Sequence, residues 1–387
     1  MKKTISSLPI ALCILASIFL FEMMEMFPTA YAFSYSLYFL VPIALVTLAL
    51  LYYMINKRYF LRIPPMSYLL VFLLYTYMLS LFFGGYSTNA QYLTFLAPLF
   101  VYLFATTAQM SEVSKGAYLK HLLMLFASLM VYYFLNFKKN YVLDFEYQDN
   151  AAYTLLYFLP LVLCIKKNII KILGVLAILV AMMFSLKRGG LLSYAIATAT
   201  YYIFYGFSVS DKKNQKRIIV GTILSLIFIF YLFNYINTFS GDAITDRFLK
   251  IEEDQGSGRV EIWNWIFNTY EYNAFSFDTL LGHGWNAVLK NSGLRSAHND
   301  FLEILYDFGI IALLLYIIFW IKLGRYAIRL FKKNSEYAAP LAALIVLILS
   351  NSMVSHVITY PKYLVLVMLV LGYIHTVSYK TLNTKNK

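Results

Sequence analysis

Apolar runs separated by short polar connectors fill most of the chain. They fall at about residues 8 to 21, 35 to 55, 66 to 83, 90 to 107, 117 to 137, 151 to 165, 168 to 185, 190 to 207, 217 to 236, 300 to 321, 338 to 356 and 361 to 379. Runs near 17 to 25 residues are long enough to cross a bilayer as helices. A helix also satisfies its own backbone polar groups where water cannot. The pattern predicts an all-α polytopic membrane protein with about twelve transmembrane helices. Lys166, Lys167 and Lys171 force a tight turn between the sixth and seventh runs.

One connector, residues 237–299, is too long for a turn, and long loops on a rigid scaffold are where function concentrates. Inside it Ser257 is a good N-cap, and Ile262, Trp265, Ile266 and Tyr270 follow at helical spacing. That spacing predicts a short amphipathic helix resting on the membrane or the bundle. The chain therefore divides into N-terminal transmembrane helices (1–165), transmembrane helices with an outer turn (166–236), a large loop (237–299) and C-terminal transmembrane helices (300–387). No internal repeat or low-complexity tract is visible.

Composition agrees with the pattern. Of 387 residues, 61% are hydrophobic and 13% charged, more apolar than a soluble domain needs. The net charge of +13 does not argue for nucleic acid, because the basic residues sit in short connectors and not on one patch. They report orientation instead, since cytoplasmic connectors keep Lys and Arg. Connectors with Lys57, Arg58 and Arg62, with Lys212, Lys213, Lys216 and Arg217, and with Lys322, Arg325, Arg329, Lys332 and Lys333 share one side of a twelve-span count. Both termini fall on that cytoplasmic side, and the long loop falls outside. Residues 30 to 32, "AYA", imitate a signal cleavage site, but they lie beyond Glu22 and Glu25, which favours a retained first helix. Cys13 and Cys164 lie in apolar runs and form neither a metal spacing nor a disulfide framework.

Three groups carry candidate chemistry. In "SLKRGGLLS", Lys187 and Arg188 fall on the outer side against the charge trend. One reading is snorkelling of long basic side chains to the interface. The other uses Gly189 and Gly190, which open the eighth span, so that Arg188 flanks a helix N-terminus and helps bind an anion. In "GSGRVEIW", Arg259 falls in the first turn of the amphipathic helix, either as a second anion ligand or paired with Glu261 or Asp254. In "SAHNDFLEILYDFG", His298, Asn299, Asp300 and Glu303 stand at the mouth of the tenth span, with Ser296 or Asn299 able to cap it. His121, His356 and His375 read as isolated structural residues, and His283 sits in a glycine turn. Two guanidiniums can grip a diphosphate through paired charge-assisted bonds, and a neutral histidine can take a proton from an attacking hydroxyl. Together they suggest transfer from a phosphate-bearing donor.

At these residues the sequence resembles the O-antigen polymerase and ligase family, whose shared region carries an outer-turn Arg, a "GR…W" segment, a "G-x-G" and a downstream "H-N-x-x-L-x-x-x-x-x-x-G". Here they read "SLKRGG", "GSGRVEIW", "GHGW" and "HNDFLEILYDFG", over about residues 170 to 320. The resemblance implies a metal-independent, cofactor-free GT-C glycosyltransferase of the bacterial inner membrane. It would act on the outer face on an undecaprenyl-diphosphate-linked oligosaccharide. By the same resemblance Arg188 and Arg259 bind the diphosphate, and His298 activates or orients the acceptor hydroxyl. Relatives commonly read "SRG" where Leu186 and Lys187 intervene here, which makes Lys187 a further substrate-binding candidate beside Asn299, Asp300 and Glu303. A chain-length regulator and a flippase of the same pathway are the protein partners this implies, beside the lipid bilayer.

The compact "SAHNDFLEILYDFGIIALLLY" favours a repeat-unit polymerase over a ligase that moves glycan to lipid A-core or protein. A flippase for the same lipid-linked sugar is a further alternative. It would place charge near mid-membrane, whereas the candidate charges lie at the outer edge. The many Tyr and Trp residues suit sugar stacking, but interfacial anchoring explains most of them.

Overall fold

Helices follow the apolar runs wherever the chain is described. The computed structural model describes residues 117–141, 151–208, 255–269, 276–357 and 361–384, with scattered helical positions between 75 and 105 and between 227 and 249. The first four predicted spans and the ninth lie outside the described residues apart from those positions. So do Cys13, Asp254 and the basic connectors at 57–62 and 212–217.

The helices are α1 (Ala117–Tyr141), α2 (Ala151–Leu156), α3 (Leu159–Leu163), α4 (Asn168–Phe184), α5 (Arg188–Ser208), α6 (Gln255–Thr269), α7 (Phe277–Leu281), α8 (Ala287–Ser292), α9 (Asp300–Lys332), α10 (Ala338–Val354) and α11 (Pro361–Thr384). There is no strand among the described residues. Of these helices, α9 alone is long and apolar enough to cross a membrane by length and composition; α4, α10 and stretches of α1 and α11 are shorter apolar helices.

Two predicted elements differ in detail. The sixth run is not one helix but two, α2 and α3, because Pro160 near the start of α3 has no N–H to continue the α2 ladder. The amphipathic helix starts at Gln255, ahead of Ser257, but Gly258 at φ +77° breaks its helical geometry, so the regular part begins at Arg259.

The bundle is tied by side-chain hydroxyls reaching across helix contacts, the kind of bond an apolar interface favours. Tyr133 donates to the Ala181 carbonyl at 3.0 Å, joining α1 to α4, and Tyr194 donates to Val175 at 3.0 Å, joining α5 to α4. Ser193 donates to Asn351 at 3.0 Å, joining α5 to α10. Tyr326 and Ser378 meet at 2.8 Å, joining α9 to α11. Gly189, Gly190, Ser193 and Ala197 leave a shallow face on α5 along which α10 lies close. A Cβ at Gly189 would stand 2.8 Å from the Val354 Cγ2, and one at Gly190 would stand 2.1 Å from the Met182 Cε. The glycine pair thus lets the start of α5 settle against the ends of α4 and α10.

A smaller cluster sits apart from this core. Ile262 and Ile266 of α6 pack with Ala287 and Val288 of α8, with Ala297 and with Tyr306 of α9. The apolar stripe predicted on α6 therefore faces α8 and the start of α9.

Candidate functional site

The turn carrying Lys187 and Arg188 is built first. Ser185 caps the end of α4; its hydroxyl donates to the Met182 carbonyl at 2.8 Å and accepts from the Lys187 N–H at 3.4 Å. Leu186 adopts φ 52°, a left-handed conformation that reverses the chain. Lys187 accepts the Leu191 N–H at 3.0 Å, and Arg188 is the first residue of α5. Lys187 therefore stands at the cap position and Arg188 opens the first turn, where backbone N–H groups lack intrahelical partners. The Tyr153 hydroxyl lies against the Gly190 backbone and Ser355, within the field of Arg259.

The glycine turn "GHG" docks on α9. That helix breaks at Gly309, with φ 76° and ψ 178°. Beside the break, the Tyr306 carbonyl accepts the His283 N–H at 3.1 Å and the Asp307 carbonyl accepts the Gly284 N–H at 2.7 Å. A Cβ at Gly282 would stand 2.5 Å from the Asp307 backbone, and one at Gly309 would stand 2.2 Å from the Leu280 carbonyl oxygen. Glycine is required at both places, because each combines a positive φ with backbone-to-backbone contact. The buried Asp307 carboxylate accepts from Asn286 N at 2.9 Å and Val288 N at 3.0 Å, holding the start of α8. The His283 ring stacks on Tyr306 with centroids 4.3 Å apart, so its role in the glycine turn is structural.

The mouth of α9 carries the third group. Asn299 caps the helix, its side chain accepting from Phe301 N at 3.0 Å and Leu302 N at 3.2 Å. Asp300 is fully buried and accepts from Ser352 Oγ at 2.7 Å and Val357 N at 2.9 Å. Glu303, also buried, brings Oε2 to 3.1 Å from Nδ1 of His356. On the other side of that ring, Nε2 lies 2.8 Å from Ser296 Oγ. His298 has φ 49°, and its ring rests on that of His356, centroids 4.5 Å apart.

Charge gathers around His298. Burial pushes its imidazole down from the ordinary 6.5 to about 3, reinforced by His356, Arg259, Lys187 and Arg295. It stays neutral at any physiological pH. His356, beyond the end of α10, goes the other way. Burial alone would lower it, but Glu303 and then Asp300 outweigh that and raise it above the usual histidine value. The Trp263 indole donates to the Ala297 carbonyl at 2.8 Å, which fastens the helix of Arg259 to the residue preceding His298.

The structure thus brings Lys187, Arg259 and His298 within one electrostatic neighbourhood, with Arg188 next to Lys187 at the start of α5. Asn299 is used as a cap. Asp300 and Glu303 point into the protein, toward the segment after α10. Sequence reasoning set His356 aside, did not name Arg295 or Tyr153, and saw Ser296 only as a cap. The "W" of "GR…W" was the one readable signal for the Trp263 bond. Among the described residues, no group of three His, Cys, Asp or Glu side chains is arranged to hold a metal ion.

Residues 173–317 match the family model described as O-antigen ligase. The match supports the O-antigen polymerase/ligase family for this chain. The family is one of membrane proteins with glycosyltransferase-type activity on lipid-linked glycan. The matched stretch runs from α4 through the first half of α9, and so contains Arg188, Arg259 and His298. No curated protein matches the chain.

Proposed function

We propose that the chain is a polysaccharide repeat-unit polymerase of the bacterial inner membrane. It moves glycan from an undecaprenyl-diphosphate donor to a hydroxyl of a lipid-linked repeat, on the outer face and without a metal ion. The observation that carries the reading is the gathering of Arg259 and Lys187 around a neutral His298.

The chemistry runs as one displacement. The acceptor oxygen attacks the anomeric carbon while the bond to the diphosphate oxygen breaks. The acceptor proton passes to the His298 imidazole, and the diphosphate leaves with its lipid. Arg188, Arg259 and Lys187 neutralise the charge that grows on the leaving group, the electrostatic contribution that is usually largest in group transfer. Burial, together with Arg259 and Lys187, also keeps His298 a weak base. A bound diphosphate cancels much of their field and raises its basicity, so the base strengthens when there is a donor to react. Removing a positioned base of this kind costs about 10²- to 10⁴-fold in rate.

The description of the matched family favours a second reading, a ligase that delivers finished glycan to lipid A-core or protein. Donor chemistry is shared and the acceptor differs. A gel of surface polysaccharide from a strain lacking the chain separates the two. Core capped by a single repeat means polymerase. Uncapped core with long lipid-linked chains still accumulating means ligase.

A further inference from the structure

We infer that His356, set between Glu303 and Ser296, is a positioning residue for the transfer, holding the His298 ring and the segment before it in the working orientation. The inference rests on the reading of His298 as proton acceptor and concerns a residue 58 positions downstream of it in the chain.

His298 is held in a left-handed conformation, φ 49°, which a non-glycine residue keeps only where its surroundings insist. The two residues before it are both anchored. Ala297 is held through its carbonyl by Trp263 at 2.8 Å, and Ser296 through its hydroxyl by His356 at 2.8 Å. The residue after it, Asn299, is committed to capping α9. His356 is in turn fixed from the same helix: Glu303 approaches its Nδ1 at 3.1 Å, and Asp300 takes the N–H of the next residue, Val357, at 2.9 Å. Three points on the 296–303 segment therefore grip the 356–357 segment, and the His298 ring rests on His356 at 4.5 Å.

A packing role alone would not call for this chemistry. Burying an ionisable pair costs desolvation energy, and apolar side chains of similar volume usually serve stability as well or better. Here the pair is placed against the ring that takes the proton. Glu303 holds the His356 ring in one orientation. The Nε2 of that ring then bonds Ser296, and its face sets the angle of His298. The charged and titratable groups facing His356 and His298 are Glu303, Asp300, Arg259, Lys187 and Arg295. Glu303 thereby becomes a positioning residue, in place of a sugar contact.

The test uses the full-length protein in membranes of a strain that lacks it. The probe is the lipid-linked oligosaccharide extracted from that strain. Elongation rate, KM for the probe and the pH–rate profile are measured for His356→Asn, His356→Gln, Glu303→Gln, Ser296→Ala and, in parallel, His298→Ala. Asparagine abandons the Ser296 bond, whereas glutamine can reproduce it from the Nε2 position. His356→Asn should lower kcat about 10- to 100-fold with KM changed less than about 2-fold, the size expected when a reacting group is misplaced. Its acid limb should move to higher pH, because a positive neighbour of His298 is gone. His356→Gln should recover most of kcat, and His356→Asn with Glu303→Gln should be no slower than the slower single variant. Ser296→Ala keeps the Glu303 pair and should reproduce the kcat loss without the pH shift.

Unchanged kcat and an unmoved acid limb in His356→Asn would overturn the inference. So would losses that only follow the amount of folded protein, read by thermal unfolding in detergent, or that multiply in the double variant. Near-normal elongation by His298→Ala would instead sink the underlying proton-acceptor reading, whatever His356 does.

Discussion

The rings of His298 and His356 lie 4.5 Å apart, tilted by 39°, and burial and neighbouring charge drive their protonation in opposite directions. One histidine is lowered by burial and by Arg259, Lys187 and Arg295. The other loses by burial but is raised above the usual histidine value by the buried Glu303. Pairs of titratable groups whose surroundings push them apart are a recurrent mark of proton-transfer sites.

The first prediction concerns the groups proposed to act on substrate. Arg188→Ala, Arg259→Ala and His298→Ala should each reduce surface glycan by about 100-fold or more, a scale typical of lost charge stabilisation or a lost base. The chain should remain inserted in the membrane. Gels of surface polysaccharide beside immunoblots of membrane fractions read both, and near-normal glycan in all three variants would refute the proposed function.

His298 also has a pH signature in stability. In the unfolded chain it takes up its proton around 6.5, whereas in the fold it resists until about 3. Between those values the unfolded state binds more protons, so stability rises with pH. Its contribution is complete above about 6.5 and is lost as the pH falls toward 3. The unfolding temperature in detergent should fall from pH 6.5 to pH 4, and His298→Gln should show a smaller fall. An equal fall in both proteins would contradict the assignment.

Gly309→Ala should be among the most disruptive small substitutions. It adds a Cβ 2.2 Å from the Leu280 carbonyl oxygen at a φ of 76°. Positive-φ strain alone costs about 1 to 3 kcal/mol, and the clash with backbone adds to it. Gly282→Ala meets the Asp307 backbone at 2.5 Å and should behave alike. Gly293 has nothing within 4 Å of its added Cβ, so Gly293→Asn is the control, asparagine being tolerant of positive φ. Thermal unfolding compares the three.

At Gly190 the obstacle is the far end of a side chain, the Met182 Cε at 2.1 Å, and not backbone. Gly190→Ala should therefore lose stability that Met182→Ala partly restores. A double variant no more stable than its weaker parent would show that the two helices meet differently.

Trp263→Phe keeps a ring but strands the Ala297 carbonyl, a loss of about 1 to 3 kcal/mol when the group is buried. Since Ala297 precedes His298, glycan synthesis should fall although neither Arg259 nor His298 is altered. Full synthesis in this variant would mean that the indole bond does not hold the site.

Much of the helical framework was legible. The predicted runs at 168 to 185, 190 to 207 and 361 to 379 overlie α4, α5 and α11 within a few residues, because length and hydropathy are local properties. The mouth of α9 was readable for the same reason, with Ser296 or Asn299 as its cap, and the structure uses Asn299. His356 was not. It follows an apolar helix with no carboxylate beside it in sequence, and Glu303 reaches it only because α9 and α10 pack together. Arg295 was hidden likewise, its significance coming from where the loop folds. Asp300 and Glu303 looked like outward-facing helix-mouth carboxylates, and their burial is a consequence of the segment that folds over them.

The interlock of Gly282 with Asp307 and of Gly309 with Leu280 closes residues 283–308 into a ring of chain with both ends pinned. The freedom of a loop is set by the distance between its fixed points, and shortening it removes configurational entropy. His298 therefore samples the space of this small circuit and not that of the long loop from 237 to 299. The side chain proposed to take the proton, on an apparently long loop, is tethered far more closely than the loop's length suggests.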